Sequence, residues 1–243
     1  MPTTEADGVD AGHVVDDVPF LRALQFADSF LPVGAYSASY GLEQFVEAGD
    51  VTDAGDLRGL LAGYLRRQVG PGDVVAIAAA HDAGRTGALD EVARVDRRQR
   101  SVTLAAEFRT SSTRSGRRLL EVAAATLDDD AIGRYGERVV DGSVPGNYAT
   151  ALGLVAARAG IPRRIACLLH CHAFVVGLLG AAQRLLQLGH TAAQRALAAL
   201  QPVAADVCDR YDGAGLEAMR PFAPLVDVRG MEHERADRRL FVS

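Results

Sequence analysis

The sequence predicts an all-α protein, a single-domain bundle of roughly ten helices. Three observations lead there. Apolar residues return at helical spacing almost throughout, strand-like alternation is scarce, and capping and stopping residues punctuate the pattern at helix-length intervals. The 243 residues suffice for one large core, and no composition break divides them.

Residues 1–19, "MPTTEADGVDAGHVVDDVP", are acidic, contain Gly and lack a basic start or an apolar run, so they read as a disordered leader rather than a signal peptide. The helical domain is placed at 20–222 and a tail at 223–243. In "LQFADSFLPVGAYSASYGLEQFV", Leu24 to Val46, aromatic, hydroxyl, Gly and Pro residues interrupt a helical pattern. "DAGDLRGLLAGYLRRQVG" opens on an Asp suited to capping, sets Leu57, Leu60, Leu61, Tyr64 and Leu65 on one face, and is expected to end at Gly70 and Pro71. "GDVVAIAAAHDAG" is a short, nearly all-apolar helix stopped by Gly84, so it must be buried on most sides.

A longer helix is expected from Ser101 to near Leu127, with Thr, Ser and Gly in its middle that local propensity discourages. "DDDAIGRYGERVVDGSVPGN" reads as a connection of weak helical character, broken at Pro145 and Gly146. "NYATALGLVAARAGIP" resumes the helix, with Gly160 as its stop and Pro162 as the next start. The helix in "PRRIACLLHCHAFVVGLLGAAQRLLQLG" is apolar enough to be central and is expected to end at Gly189. Thr191 and Gln194 then match a capping box opening "TAAQRALAALQPVAADVCDRY". The tail is charged and broken by Pro224 and Gly230, yet closes on Leu240 and Phe241, so it is expected to dock.

Composition narrows the function. The net charge of −5 disfavours a nucleic-acid or anionic-membrane binder, and no uninterrupted apolar run has membrane-crossing length. There is no Lys, so all 26 basic side chains are Arg, which excludes a Schiff-base lysine, a pyridoxal-phosphate anchor and a phosphate loop with its own lysine. Arg suits bidentate pairing with carboxylates at interfaces, although GC-rich coding gives the same bias. Cys167, Cys171 and Cys208 form no even framework, so the expectation is a cytoplasmic protein with reduced thiols.

Candidate chemistry is sparse. In "CLLHCH", Cys167, His170 and Cys171 stand at i, i+3 and i+4 and share a helix face able to offer two thiolates and an imidazole to a soft metal. The flanking Leu, Ala, Phe and Val favour the alternative of buried core residues. His81 and Asp82 are adjacent on a helix and point apart, which leaves a helix-end His. No G-x-S-x-G elbow occurs, Asp16–Asp17 and Asp128–Asp130 read as solvated charge, and His233 lacks the spacing of a zincin helix. What remains is a helical protein with small-polar patches and Arg-rich segments suited to protein partners.

Taken together, the segments resemble the UreF family of urease accessory proteins. "DSFLPVG" followed by "YSASYGLE" is similar to the family's N-terminal signature, and "EFRTSSTRSGRRLL" to its E-x-R-x-[AS]-x(4)-G-x-[RQ]-L-L stretch. "YATALGLVAARAGIP", "RLLQLGHTAAQ" and "MEHERADRRLFVS" resemble three further segments, and the resemblance covers residues 20 to 243. Gln187 stands where the family usually has Pro, and His190 where it usually has Gln.

The resemblance implies an all-α, non-enzymatic chaperone that dimerises, binds a UreH/UreD-type protein and recruits the GTPase UreG to load nickel into the urease apoenzyme. No cofactor is then bound directly: nickel and GTP belong to the partner complex. Pro32 and Gly34 are implied to make a turn presenting Tyr36, Ser37, Ser39, Tyr40 and Glu43, with Gly41 allowing close packing. Core aromatics are the alternative for Tyr36 and Tyr40. Glu107, Arg109, Arg117 and Arg118 around Gly116 are implied to form inter-helix or inter-subunit ion pairs that serve specificity more than stability. Arg184 matches the Arg before the L-G turn at Gly189. Glu232, His233, Glu234 and Arg239 match an ending that orders against the UreH-type partner, with Leu240 and Phe241 as apolar anchors. The competing classes are a metal-binding protein or metalloenzyme centred on Cys167, His170 and Cys171, and a helical oligomer held by Arg-rich faces.

Overall fold

A computed structural model describes residues 16–28, 30–34, 39–236 and 240–241. The leader up to residue 15, Tyr36, Ser37 and Arg239 lie outside the described residues. Among those described, every regular element is helical. The helices are α1 Asp17–Ala27, α2 Leu42–Glu47, α3 Ala54–Tyr64, α4 Val75–Arg85, α5 Leu89–Val102, α6 Ala106–Leu127, α7 Asp130–Val140, α8 Tyr148–Arg158, α9 Arg163–Leu185, α10 His190–Tyr211 and α11 Pro224–His233. The first begins at Asp17, inside the stretch expected to be leader.

α3 starts as expected, with Asp53 Oδ1 accepting from the Gly55 and Asp56 N–H groups at 2.7 and 2.9 Å. Its end is different. Gly70 and Pro71 do not stop the helix: a π-helical segment, Leu65–Val74, carries the chain straight into α4. Pro71 has no N–H to give the Arg67 carbonyl four residues back, and a widened turn accommodates its ring. The backbone N–H of Phe222 donates to Arg67 O at 2.9 Å instead, and that of Arg220 donates to Pro71 O at 3.1 Å. Gly70 is small for a tertiary reason, since a Cβ there would lie 2.7 Å from Val207 Cγ1 on α10.

α4 and α8 form the centre of the bundle, and small residues let them approach closely. A Cβ on Gly153 would fall 2.5 Å from the Ile77 carbonyl oxygen. Leu57, Leu61, Tyr64, Ile77, Leu119, Ile132, Tyr135 and Leu152 fill the surrounding core. α9 has the length and apolarity of a membrane-crossing helix, and 56% of that apolar window is buried inside the protein.

Two sequence expectations are corrected here. The helix expected from Ser101 is two helices, α5 and α6, separated at Thr103–Ala105, where the Arg109 guanidinium donates to the Thr103 and Leu104 carbonyls at 2.8 and 2.5 Å. The "connection" after Asp128 is the amphipathic α7, which buries Ala131, Ile132 and Tyr135. Asp129, read as solvated, caps it through the Ala131 and Ile132 N–H groups and accepts Arg158 Nε at 2.8 Å. Burial alone would raise the Asp129 pKa. The hydrogen bonds from Arg158 and the helix N–H groups outweigh that effect and hold it below the usual carboxylate value.

The α10 start is also not a capping box. Gly189 is the N-cap, with φ −66°, and no side chain caps the helix. The left-handed residue in the α9–α10 turn is Gln187 at φ +51°, a value closed to proline.

α5 carries the deepest polar anchor. Asp96, fully buried, accepts from Tyr135 Oη at 2.8 Å, Gly146 N at 2.7 Å, Asn147 N at 2.9 Å and Asn147 Nδ2 at 2.6 Å. This pins the start of α8 against α6 at Gly116, where a Cβ would sit 2.1 Å from the Gly146 carbonyl oxygen. The neighbour is backbone held from behind by Asp96, so it cannot yield cheaply. Gly116→Ala is expected to cost at least about 1–3 kcal/mol through overpacking, read as a lower urea midpoint, and an unchanged midpoint would show that the contact relaxes freely.

Candidate functional site: a buried Glu–His–Glu fastening

The turn after α1 is built locally. Asp28 Oδ1 accepts the Phe30 N–H at 2.8 Å, the Leu31 N–H donates to Asp28 O, and Gly34 takes φ +75° two residues beyond Pro32. Tyr40 and Gly41 then both enter the left-handed region, at φ +48° and +80°. Gly41 permits a close approach, because a Cβ there would meet Gly230 N of α11 at 3.2 Å.

Tyr40 lies between two aromatic rings, with centroid distances of 5.5 Å to Phe108 and 5.2 Å to Phe174, and its carbonyl accepts the Tyr64 hydroxyl. Burial, with the nearby Asp73 charge, raises the Tyr40 phenol pKa well above the ordinary value. Ser39 is fully buried, and its hydroxyl has no hydrogen-bond partner among the described residues.

Behind this loop, three ionisable side chains from distant parts of the chain converge. His233, at the end of α11, is 0% exposed. Its Nδ1 lies 2.8 and 2.9 Å from the two Glu107 carboxylate oxygens, and its Nε2 lies 3.1 Å from Glu43 Oε2. Ionised carboxylates only accept, so the ring satisfies both sides when each nitrogen carries a proton. Backbone donors add to the ring at Glu43, which accepts the Leu240 N–H at 2.8 Å and the Phe241 N–H at 3.3 Å.

Glu234 completes the join by accepting the Glu107 N–H at 2.8 Å, one of the orphan donors at the start of α6. Arg229 bonds Glu232 at 2.8 Å and Asp50 at 2.5 Å, tying α11 to the segment that follows α2. Phe241 is buried beneath Arg184, whose guanidinium sits 4.2 Å from the ring centroid. Leu240 points outward and is 62% exposed.

The sequence-predicted residues therefore divide. Glu43, Glu107, His233, Glu234, Arg184 and Phe241 meet at one fastening that folds the tail onto the chain's own N-terminal motif. Arg109 holds the α5–α6 break. Arg117 and Arg118 are exposed and share Glu121, at 3.0 and 2.6 Å, within α6 rather than between helices. Sequence reasoning missed Asp96, Gln99 and Asn147. The signal was present: Val92, Asp96 and Gln99 lie at i, i+4 and i+7, a carboxylate and an amide on the apolar stripe of α5.

The side chains of the Cys/His face take other partners. His170 Nε2 lies 3.0 Å from Asp73 Oδ2, and Gln99 donates to the other oxygen of Asp73 at 2.9 Å. Cys167 and Cys171 are fully buried, with Cys171 turned to Cys208. Among the described residues, no cluster of three or more His, Cys, Asp or Glu is arranged to hold a metal ion. His81 is buried, and its Nε2 lies 2.8 Å from the Ile161 carbonyl oxygen.

Fold and site together define an all-α protein whose buried Glu and His side chains fasten the chain to itself. The UreF family model matches residues 51–201. The urease accessory protein UreF of Trichodesmium erythraeum is 32% identical over 223 residues, 92% of this chain and 96% of its own length. The UreF of Yersinia enterocolitica serotype O:8 / biotype 1B is 31% identical over 221 residues, 91% and 96% of the two chains, and that of Yersinia pseudotuberculosis serotype IB is similar to the same degree and extent. The chain belongs to the UreF family of urease accessory proteins.

Proposed function

We propose that this chain is the non-enzymatic adaptor of a nickel-insertion complex, bridging a UreH/UreD-type protein and the GTPase UreG and acting on the urease apoenzyme as a homodimer. Nickel is the cargo of that complex, and the nucleotide belongs to UreG. The observation that carries the reading is the outer side of the fastened tail. While Glu43, Glu107 and His233 hold α11 from within, Leu225, Val228 and Met231 stand exposed at i, i+3 and i+6 on its other side, with Phe222 and Leu240 exposed nearby in sequence. A folded segment that buries His233 against the chain and shows a row of apolar side chains on its other side suits a protein partner of the UreH/UreD type.

A double variant, Leu225→Asp with Val228→Asp, is expected to lose binding to the UreH/UreD-type protein by at least tenfold in calorimetric titration, while its circular dichroism and Tm stay unchanged. Retained affinity would remove α11 from the interface. Arg117→Ala and Arg118→Ala test the second motif. Both side chains are exposed, so each change is expected to move stability by no more than about 1 kcal/mol. Recruitment of UreG to the preformed binary complex is expected to weaken, and full recruitment with both arginines absent would leave them as ordinary surface ion pairs.

A further inference from the structure

The three cysteines have no part in the adaptor reading, yet two of them face each other. Cys171 on α9 and Cys208 on α10 place their Sγ atoms 3.9 Å apart, and both residues are fully buried. Cys167, one turn earlier on α9, is directed to the Val74 carbonyl at 4.0 Å. We propose that Cys171 and Cys208 form a peroxide-sensitive dithiol that closes to a disulfide in the folded protein and staples α9 to α10.

The geometry favours this pair. The side chains already point at each other across two packed helices, with a 3.9 Å gap to be shortened to the roughly 2.05 Å of an S–S bond. Cys171 also lines an apolar groove of about 160 Å³ between α9 and α10, bordered by Leu168, Val175, Leu197 and Leu200.

The two thiols are unequal. The hydrogen bond from Cys171, with Arg164 nearby, holds the Cys208 pKa below the ordinary thiol value despite burial. That same hydrogen bond, together with burial, raises the pKa of Cys171. Either sulfur can be the first nucleophile once ionised, and Cys208 serves for both. Its thiolate attacks one peroxide oxygen, the O–O bond breaks, and a sulfenic acid and hydroxide result. The Cys171 sulfur then attacks the Cys208 sulfur and the sulfenic oxygen leaves as a second hydroxide; the Cys171 proton and the proton Cys208 released on ionising turn the two hydroxides into water. In balance, two thiols lose two electrons and two hydrogens, and one peroxide becomes two waters.

The staple bears on a functional platform. α9 supplies Phe174 against Tyr40, and Arg184 over Phe241. Closing the bond fixes that helix against α10 without touching the fastening itself.

The test uses the full chain, treated with hydrogen peroxide and compared with a sample kept in dithiothreitol. Peptide mapping is expected to find Cys171 joined to Cys208, with Cys167 alkylated only after denaturation. The Tm is expected to rise by roughly 5–10 °C and to return on reduction. Cys171→Ser and Cys208→Ser each lose the shift, whereas Cys167→Ser keeps it. A link involving Cys167, or sulfinic acid at Cys208 with no crosslink in the folded chain, overturns the proposal. Mapping of the unmodified sequence decides the matter even where a Ser variant folds poorly.

Discussion

His233→Ala is expected to produce the largest loss of stability reachable at the site, about 3–5 kcal/mol in urea unfolding, because it removes the imidazole that bridges the buried Glu43 and Glu107 side chains and leaves their oxygens facing each other without that partner. The loss is expected as a lower midpoint with little change in slope. Hydrogen exchange is expected to accelerate at the Leu240 and Phe241 amides, which the Glu43 carboxylate holds. A second substitution separates charge from packing. Adding Glu107→Gln to His233→Ala replaces one of the two stranded carboxyl groups by an amide that can donate to the other, and is expected to recover part of the loss, so the double variant is more stable than the single one. If His233→Ala stays within about 1 kcal/mol of the parent, the fastening contributes little and the tail is held by Phe241 alone.

Asp96→Ala is the second large effect. Its carboxylate satisfies Tyr135 Oη, the backbone N–H groups of Gly146 and Asn147, and the Asn147 amide, all buried. Truncation strands several donors at once, each costing about 1–3 kcal/mol when left unsatisfied, so a loss above about 4 kcal/mol is expected. The damage should be local as well as global: the start of α8 and its seat against Gly116 are expected to lose exchange protection before the α4–α8 centre does. A loss under about 1 kcal/mol would contradict the assignment of Asp96 as the anchor of this corner.

Most of the fold was legible in the sequence because helical periodicity is a local signal. Asp53 as a cap, Gly160 as a stop and the central place of α9 all follow from residues a few positions apart. The misreadings came where a local stop signal was overruled from a distance. Gly70 and Pro71 look like an ending, and only the Phe222 and Arg220 amides, some 150 residues away, make a continuous helix tolerable there. α7 was obscured by its acidic start, although Asp129 is its cap and Ile132, Tyr135 and Val139 trace an apolar face.

The site was legible as residues but not as a site. Glu43, Glu107 and His233 were each singled out by motif, in segments that nothing in a linear pattern brings together. The motif reading also paired Leu240 with Phe241 as two anchors, whereas the chain turns one inward beneath Arg184 and leaves the other outside. Long-range pairing of this kind follows from topology, which periodicity does not encode.

The adaptor role is tested most directly by size-exclusion chromatography with light scattering on this chain, alone and mixed with its cognate UreH/UreD-type and UreG proteins, with metal analysis of every peak. The account predicts a metal-free homodimer that grows first into a binary and then, with UreG, into a larger ternary species. A chain that stays at its own mass in the presence of both proteins, or that carries tightly held metal and ignores them, would contradict it.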